Sequence, residues 1–273
     1  MNGLIHYRHC KAFAGKFAAT GAAIPASLQL ILDNIEAVRN WKVQEPRTIE
    51  KAMAEGKLDP STIGALLHDV VAEPAKDPRL VQQQALAVLA RQFNKALHGT
   101  SGDEAMAALR PAFEQSITAL EAARELGIGA ETSAEQVIEL GNKAVDAYRT
   151  IPSHRATLDT INDVIYSLSY GGDFQIFPHY PWMAIGAGSE CVMAAFYLDG
   201  AERDMFGAAR VLINDGKIRR GGRWMRLLSV SPVKLNSVTR AREIIDYWNS
   251  EHVAAEQREF VQTHPPYDAA VHR

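Results

Sequence analysis

Apolar residues recur at intervals of three and four positions through most of the first 170 residues, and this period predicts a series of helices. The clearest case begins at Pro25, where proline suits the first turn of a helix, and carries apolar residues as far as Val38. Ser133 and Gln136 form a capping-box pattern that predicts the start of another helix. The helices expected from these signals cover residues 4–19, 25–41, 46–55, 78–97, 103–126, 134–150 and 153–169, and one more begins at residue 60.

The pattern changes at Gly171 and Gly172, which open a stretch of aromatic residues and prolines. We therefore expect a helical domain at 1–170 and an α+β domain at 171–273. An Asp-Gly pair follows three apolar residues at 211–213 and predicts a β-hairpin near 209–230, whose later strand includes 224–230. The predicted fold is mainly α, with an N-terminal multi-helix body, a smaller C-terminal α+β module and a long C-terminal helix that begins near residue 236.

Charge is distributed unevenly along the chain. The formal net charge is −3, yet the stretch from Gly216 to Arg242, called here the basic segment, contains eight basic residues and no acidic one. A cationic stretch on an otherwise acidic body indicates a surface for an anionic partner. The eight residues are Lys217, Arg219, Arg220, Arg223, Arg226, Lys234, Arg240 and Arg242.

Two kinds of partner fit the basic segment. Its arginines suit phosphates, and Trp224 suits stacking on a base, so nucleic acid is one candidate. Alternatively, the cations pair with acidic helices of the same chain or of a neighbouring subunit. Strand alternation would send Arg219 and Arg220 to opposite faces, and the pI near 6.3 disfavours general affinity for duplexes. The second interpretation is therefore preferred, with predicted binding residues Lys217, Arg219, Arg220, Arg223, Trp224 and Arg226.

The last predicted helix carries large apolar residues beyond what a small domain can cover. Trp248, Val253 and Phe260 lie along it and are predicted to contact another subunit. No apolar run is long enough to span a membrane, so no membrane partner is expected.

Other candidate chemistry is sparse in the sequence. His6, His9 and Cys10 supply at most part of a metal site, so no metal and no cofactor are predicted. The glycine-rich turn at 186–190, with His179 nearby, matches neither a phosphate-binding loop nor a nucleophile elbow. The two cysteines are expected to stay reduced, in keeping with synthesis in the cytoplasm.

These observations favour a non-enzymatic structural or assembly protein, a subunit of a larger protein complex that acts in the cytoplasm or in a particle assembled there. A phage-type virion or connector component is one instance of this class. Two alternatives stay open at this point. One is a nucleic-acid-binding protein that uses the predicted hairpin at 217–226, and the other is an enzyme with a pocket near 179–190.

Overall fold

A computed structural model of the chain describes residues 3–41, 78–169, 174–177, 188–198, 208, 211–212, 220–248, 250 and 259. The main-α prediction is confirmed, because helix is the regular secondary structure of these residues and they contain no strand. The helices are α1 (Gly3–Ala19), α2 (Ala26–Asn40), α3 (Pro78–Leu97), α4 (Thr100–Glu125), α5 (Ala134–Glu139), α6 (Asn142–Leu168), α7 (Gly188–Ala194), α8 (Gly222–Val230) and α9 (Val238–Trp248).

The prediction of a strand at 224–230 is wrong, and with it the β-hairpin and the α+β module lose their support. These residues form α8, which buries Trp224, Leu227 and Leu228. Their spacing of three and four places all of them on one face of a helix, whereas a strand would group Trp224 with the charged Arg226. Burial of the apolar residues against α4 and α6 therefore favours the helix. The expected turn at 214–217 lies outside the described residues.

The prediction of a helix break at Pro152 is also wrong. α6 continues through Pro152, while the break comes earlier, at Gly141, whose φ of 95° lies in the left-handed region that glycine adopts freely. Ile151 and Leu158 are buried on either side of the proline, and this packing holds the helix together across it. The capping box at Ser133 is present as predicted.

Three aromatic rings join the N-terminal helices to the segment that follows α6. Phe13 of α1 and Phe93 of α3 have ring centroids 5.8 Å apart, and Phe174 lies 5.7 Å from the first and 5.4 Å from the second. Residues on both sides of the expected boundary at 170 thus contribute to one hydrophobic core.

A second aromatic group positions α8. The ring of Tyr197 stacks on Phe113 of α4 at 5.8 Å, and the Trp224 indole meets Tyr197 edge-on at 5.2 Å. All three side chains are fully buried. Trp224 therefore fixes the distance of α8 from α4 and α6.

The connection between α8 and α9 is held by one buried amide. The Asn236 side chain donates to the carbonyl oxygens of Ala195 and Leu198 at 2.8 and 2.6 Å, and its backbone N–H donates to Phe196 at 2.8 Å. These carbonyls follow the C-terminal end of α7, where a helix leaves its acceptors without internal partners. Asn236 thus ties the start of α9 to the end of α7.

Candidate functional site

The carboxylate of Asp159 on α6 is the point at which the basic segment meets the helical body. Arg223 places Nε and Nη2 3.1 and 3.0 Å from Asp159 Oδ1, and the Trp224 indole N–H donates to the same oxygen at 2.8 Å. Arg155, one turn earlier on α6, lies 3.4 Å from Oδ2. All the charged members are partly buried, so this network is better shielded from solvent than an ordinary surface ion pair.

Gly222 is required where α8 begins. Its φ is 59°, and a Cβ at this position would come within 2.6 Å of Arg155 Nε. Only glycine allows the backbone to approach the guanidinium group this closely. Gly222 therefore allows the start of α8 to lie against α6, which brings Arg223 and Trp224 to Asp159.

Beneath this network the phenol of Tyr197 donates to Asn162 Oδ1 at 2.8 Å in a buried site. Burial raises the pKa of Tyr197 well above its ordinary value, while the nearby Arg223 opposes that rise. The phenol is thus held as a neutral hydrogen-bond donor. Its position indicates a structural role rather than proton transfer.

The described part of the basic segment directs its other arginines at partners within the chain. Arg226 reaches Glu131 at 3.4 Å, and the Arg220 guanidinium lies 4.9 Å from the centre of the Tyr148 ring. Arg242 of α9 donates to the carbonyls of His98 and Ile176, and Arg240 pairs with Glu243. Lys217 and Arg219 lie outside the described residues. The binding role predicted for this segment stays a prediction, but its geometry is that of intramolecular pairing.

The aromatic candidates are placed in the core. Trp224 is fully buried, so its ring faces are covered by protein and are not presented for stacking on a base. Trp248 of α9 is likewise buried, although the sequence placed it in an intersubunit contact. Val253 and Phe260 of that predicted contact lie outside the described residues.

The other sequence candidates contribute little chemistry in the described residues. Cys10 is fully buried, and burial raises the pKa of its thiol to about 12, so it stays protonated. No group of three His, Cys, Asp or Glu side chains suited to a metal ion occurs in the described part of the chain. His179 and residues 186–187 of the glycine-rich turn lie outside it, and the described end of that turn opens α7.

His98 lies at the corner between α3 and α4, next to Arg242. Its Nε2 is buried without a hydrogen-bond partner, as is the nearby Asn94 Oδ1 in the preceding turn. Burial lowers the pKa of His98, Arg242 lowers it further, and a hydrogen bond with the backbone of Gln175 acts in the opposite direction. The folded protein therefore holds this imidazole neutral.

The lowered pKa of His98 predicts that the stability of the folded chain depends on pH. The pKa of His98 is lower in the folded chain than the ~6.5 of an unfolded one. The contribution of the neutral imidazole to stability is therefore fully present above pH ~6.5 and decreases as the pH drops below that value. We expect urea unfolding at pH 7.5 and 5.5 to show a smaller loss of stability for His98→Gln than for the wild type. Equal losses in the two proteins would contradict the assignment.

A different surface, missed by the sequence analysis, is formed by α2 and α3. Gln82 Nε2 donates to the carbonyls of Val38 and Arg39 at 2.8 and 3.0 Å, and the Ser27 and Ser101 hydroxyls are 2.7 Å apart. The end of α2 thus lies beside the start of α3, and the start of α2 lies beside the end of α3. The two helices are antiparallel neighbours along their length.

The side of this pair that points away from the core carries several exposed apolar side chains. Core residues of α2 and α3, such as Ile35 and Ala90, lie on the opposite sides of the helices. The exposed fractions on the outer side are 62% for Leu30, 48% for Trp41, 39% for Val81 and 45% for Val88. We call these four residues, together with Ala37 and Ala85 between them, the outward face.

On α3 the outward face has no charged neighbour, whereas on α2 the exposed Asp33 lies one turn from both Leu30 and Ala37. Residues 80–90 of α3 read Leu-Val-Gln-Gln-Gln-Ala-Leu-Ala-Val-Leu-Ala, without a charged residue on any side of the helix. The nearest charges further along α3, Arg91 and Lys95, come only after this stretch. The sequence contained one signal for the outward face, namely the seven-residue spacings of Leu30 with Ala37 and of Val81 with Val88.

On the other side of α2, a cleft of about 330 Å³ separates it from α1. Its floor includes Phe17 and Leu32, while Lys11 and Glu36 stand 3.9 Å apart at its rim. The rim charges are paired with each other, and Asp33, which also lines the cleft, accepts a hydrogen bond from Gln29 Nε2 at 2.7 Å.

Comparison of the chain with protein-family models, with curated proteins and with solved structures gives no match. Among the helices of the described residues, none has both the length and the apolar character that crossing a bilayer requires. The Asp159 network and the outward face are therefore the features of the described residues from which a function is inferred.

Proposed function

We propose that this protein is a structural or assembly subunit whose outward face is covered by another protein chain. The observation that carries this proposal is a group of large apolar side chains exposed on two adjacent helices. The four large side chains of the outward face expose on the order of 350 Å² of mostly apolar area, which is the size of the largest patch on a typical monomer, and such patches are often functional. An aromatic residue at such a surface is typical of protein interfaces.

The contacts of the basic segment support the same proposal. Arg223 and Arg226 are engaged with Asp159 and Glu131 inside the chain, and the Trp224 indole is enclosed. Nucleic-acid binding would need the arginines to exchange these partners for phosphates and would need another aromatic platform. A protein-binding role uses a surface that is already formed.

The proposal is tested by measuring whether Trp41 is covered in the assembled protein. In an extract of cells that make the protein naturally, we expect hydroxyl radicals to oxidise Trp41 several-fold more slowly than in the purified Val88→Glu variant. Covering by a partner removes the solvent access that the free side chain has. Mass spectrometry of the recovered chain gives both rates.

Tyr247 of α9 provides the internal control, because 59% of its surface is exposed and it lies on a different helix. The rate at Trp41 is therefore expressed relative to the rate at Tyr247 within each sample, which cancels the scavenging of radicals by the extract. If Trp41 reacts at the same rate in the extract and in the variant, no chain covers the outward face and the proposal is overturned.

A further inference from the structure

The cleft between α1 and α2 has the size and the lining of a site for a small molecule. We infer that it binds a small organic cation, with an apolar group on the floor of the cleft and an ammonium group at Asp33. This binding site goes beyond the proposed assembly role and does not depend on it.

The size of the cleft is the first argument. Its volume of about 330 Å³ lies within the ~300–1,000 Å³ of typical small-molecule sites. A cavity of ~150 Å³ holds benzene, so this cleft has room for one aromatic ring with a short chain. Ala14 and Ala18 of α1 and Ala22 after it line the cleft, and their small side chains leave the space open.

The apolar floor of the cleft is the second argument. Phe17 and Ile35 are buried at its base, and Leu32 is partly exposed beside them. An apolar group placed on this floor leaves water together with the side chains that it covers, and this transfer is favourable without any specific polar contact. The floor therefore selects a ligand with an apolar group.

The charges that line the cleft are the third argument. They belong to Lys11, Asp33 and Glu36, so one cation stands against two carboxylates and the lining has a formal net charge of −1. Glu36 is already matched, because its Oε1 lies 3.9 Å from Lys11 Nζ and its Oε2 lies 3.4 Å from Arg39 Nη1. The unbalanced negative charge is therefore that of Asp33.

Asp33 has a hydrogen-bond donor but no cation. The donor is the neutral side-chain amide of Gln29, at 2.7 Å, and no cation of the described residues forms an ion pair with this carboxylate. An ammonium group on a ligand would supply the missing charge, whereas an anionic ligand would meet a lining that is negative overall. The class of ligand that fits is therefore an apolar group with a positive end.

The test is the binding of phenethylamine, which is protonated at neutral pH, to the purified full-length chain, followed by amide NMR. At low ionic strength we expect shifts at the residues that line the cleft and a Kd on the order of 1 mM, because so small a ligand makes few contacts. Phenethyl alcohol, its neutral analogue, should bind about three- to fivefold more weakly. Hydrocinnamate, an anion of similar shape, should bind more weakly still, and high salt should reduce the preference for the amine.

Two variants assign the binding to the cleft. Asp33→Asn keeps the shape of the side chain and removes its charge, so it should bind the amine no more tightly than the alcohol. Ala18→Leu fills the cleft from α1 and should weaken the binding of both probes at least fivefold. Glu121→Gln is the matched control, because Glu121 is an exposed carboxylate on α4 that does not line the cleft, and it should bind both probes as the wild type does.

Three results would overturn the inference. Amide shifts that are absent at amine concentrations well above the expected Kd show that the cleft binds no ligand of this class. Equal affinities of the wild type for the amine and the alcohol show that charge does not select the ligand. Unchanged binding by Ala18→Leu shows that the probes bind elsewhere. The comparison of the three probes uses the wild type alone, so it decides the question even where a variant fails to fold. None of these results bears on the protection of Trp41, which tests the proposed function separately.

Discussion

Replacing Trp224 with alanine is expected to lower the free energy of unfolding by about 3–5 kcal/mol. The indole is fully buried between Phe113 and Tyr197, and its removal leaves a cavity where α8 meets α4 and α6. It also removes one donor from Asp159. Urea unfolding followed by circular dichroism measures the loss.

Trp224→Phe separates the two contributions. It retains most of the ring contacts but loses the N–H donor, so we expect a smaller loss of about 1–3 kcal/mol. Asp159→Asn should reduce the difference between Trp and Phe at position 224, because the hydrogen bond then no longer goes to a charged group. If Trp224→Ala were as stable as the wild type, α8 would not be held by this contact.

Replacing Asn236 with alanine is expected to cost about 2–4 kcal/mol, the second largest effect that we predict for a single side chain. The carbonyls of Ala195 and Leu198 would lose their donor in a buried site where water cannot readily replace it. Asn236→Asp keeps the size but offers no N–H group, so it should lose at least as much.

Asn40→Ala is the matched control for this prediction, because Asn40 is exposed at the end of α2. Its replacement should change stability by no more than about 0.5 kcal/mol. Equal losses for Asn40→Ala and Asn236→Ala in urea unfolding would show that the amide does not tie α9 to α7.

The Asp159 network shows how a basic segment can be matched by an acidic residue distant in sequence. The notable feature of the sequence was a segment with arginines and no acidic residue, but an acidic partner for Arg223 lies 64 positions earlier, on α6. In the sequence, Asp159 lies within the helix predicted for residues 153–169. The folded chain brings it under α8, where it receives three donors.

The outward face, in contrast to the basic segment, did not stand out in the sequence. Each of its residues fits an ordinary helix, and the sequence analysis used the apolar positions of α2 and α3 only to predict those helices. In the folded chain Ile35 and Ala90 fill the core from one side of α2 and α3, and the apolar positions on the opposite side stay exposed. Local patterns identify which residues share a helix face, but not which of two apolar faces is covered.

The sequence by itself determined that the chain is mainly helical, because the three- and four-residue apolar period and the Ser133 capping box act within single turns of the backbone. Only the tertiary structure decided the conformation of α8, the continuity of α6 through Pro152 and the partners of the arginines. Each of these depends on contacts between residues distant in sequence, whose packing energy outweighs the local preference for a turn, a break or a solvated charge.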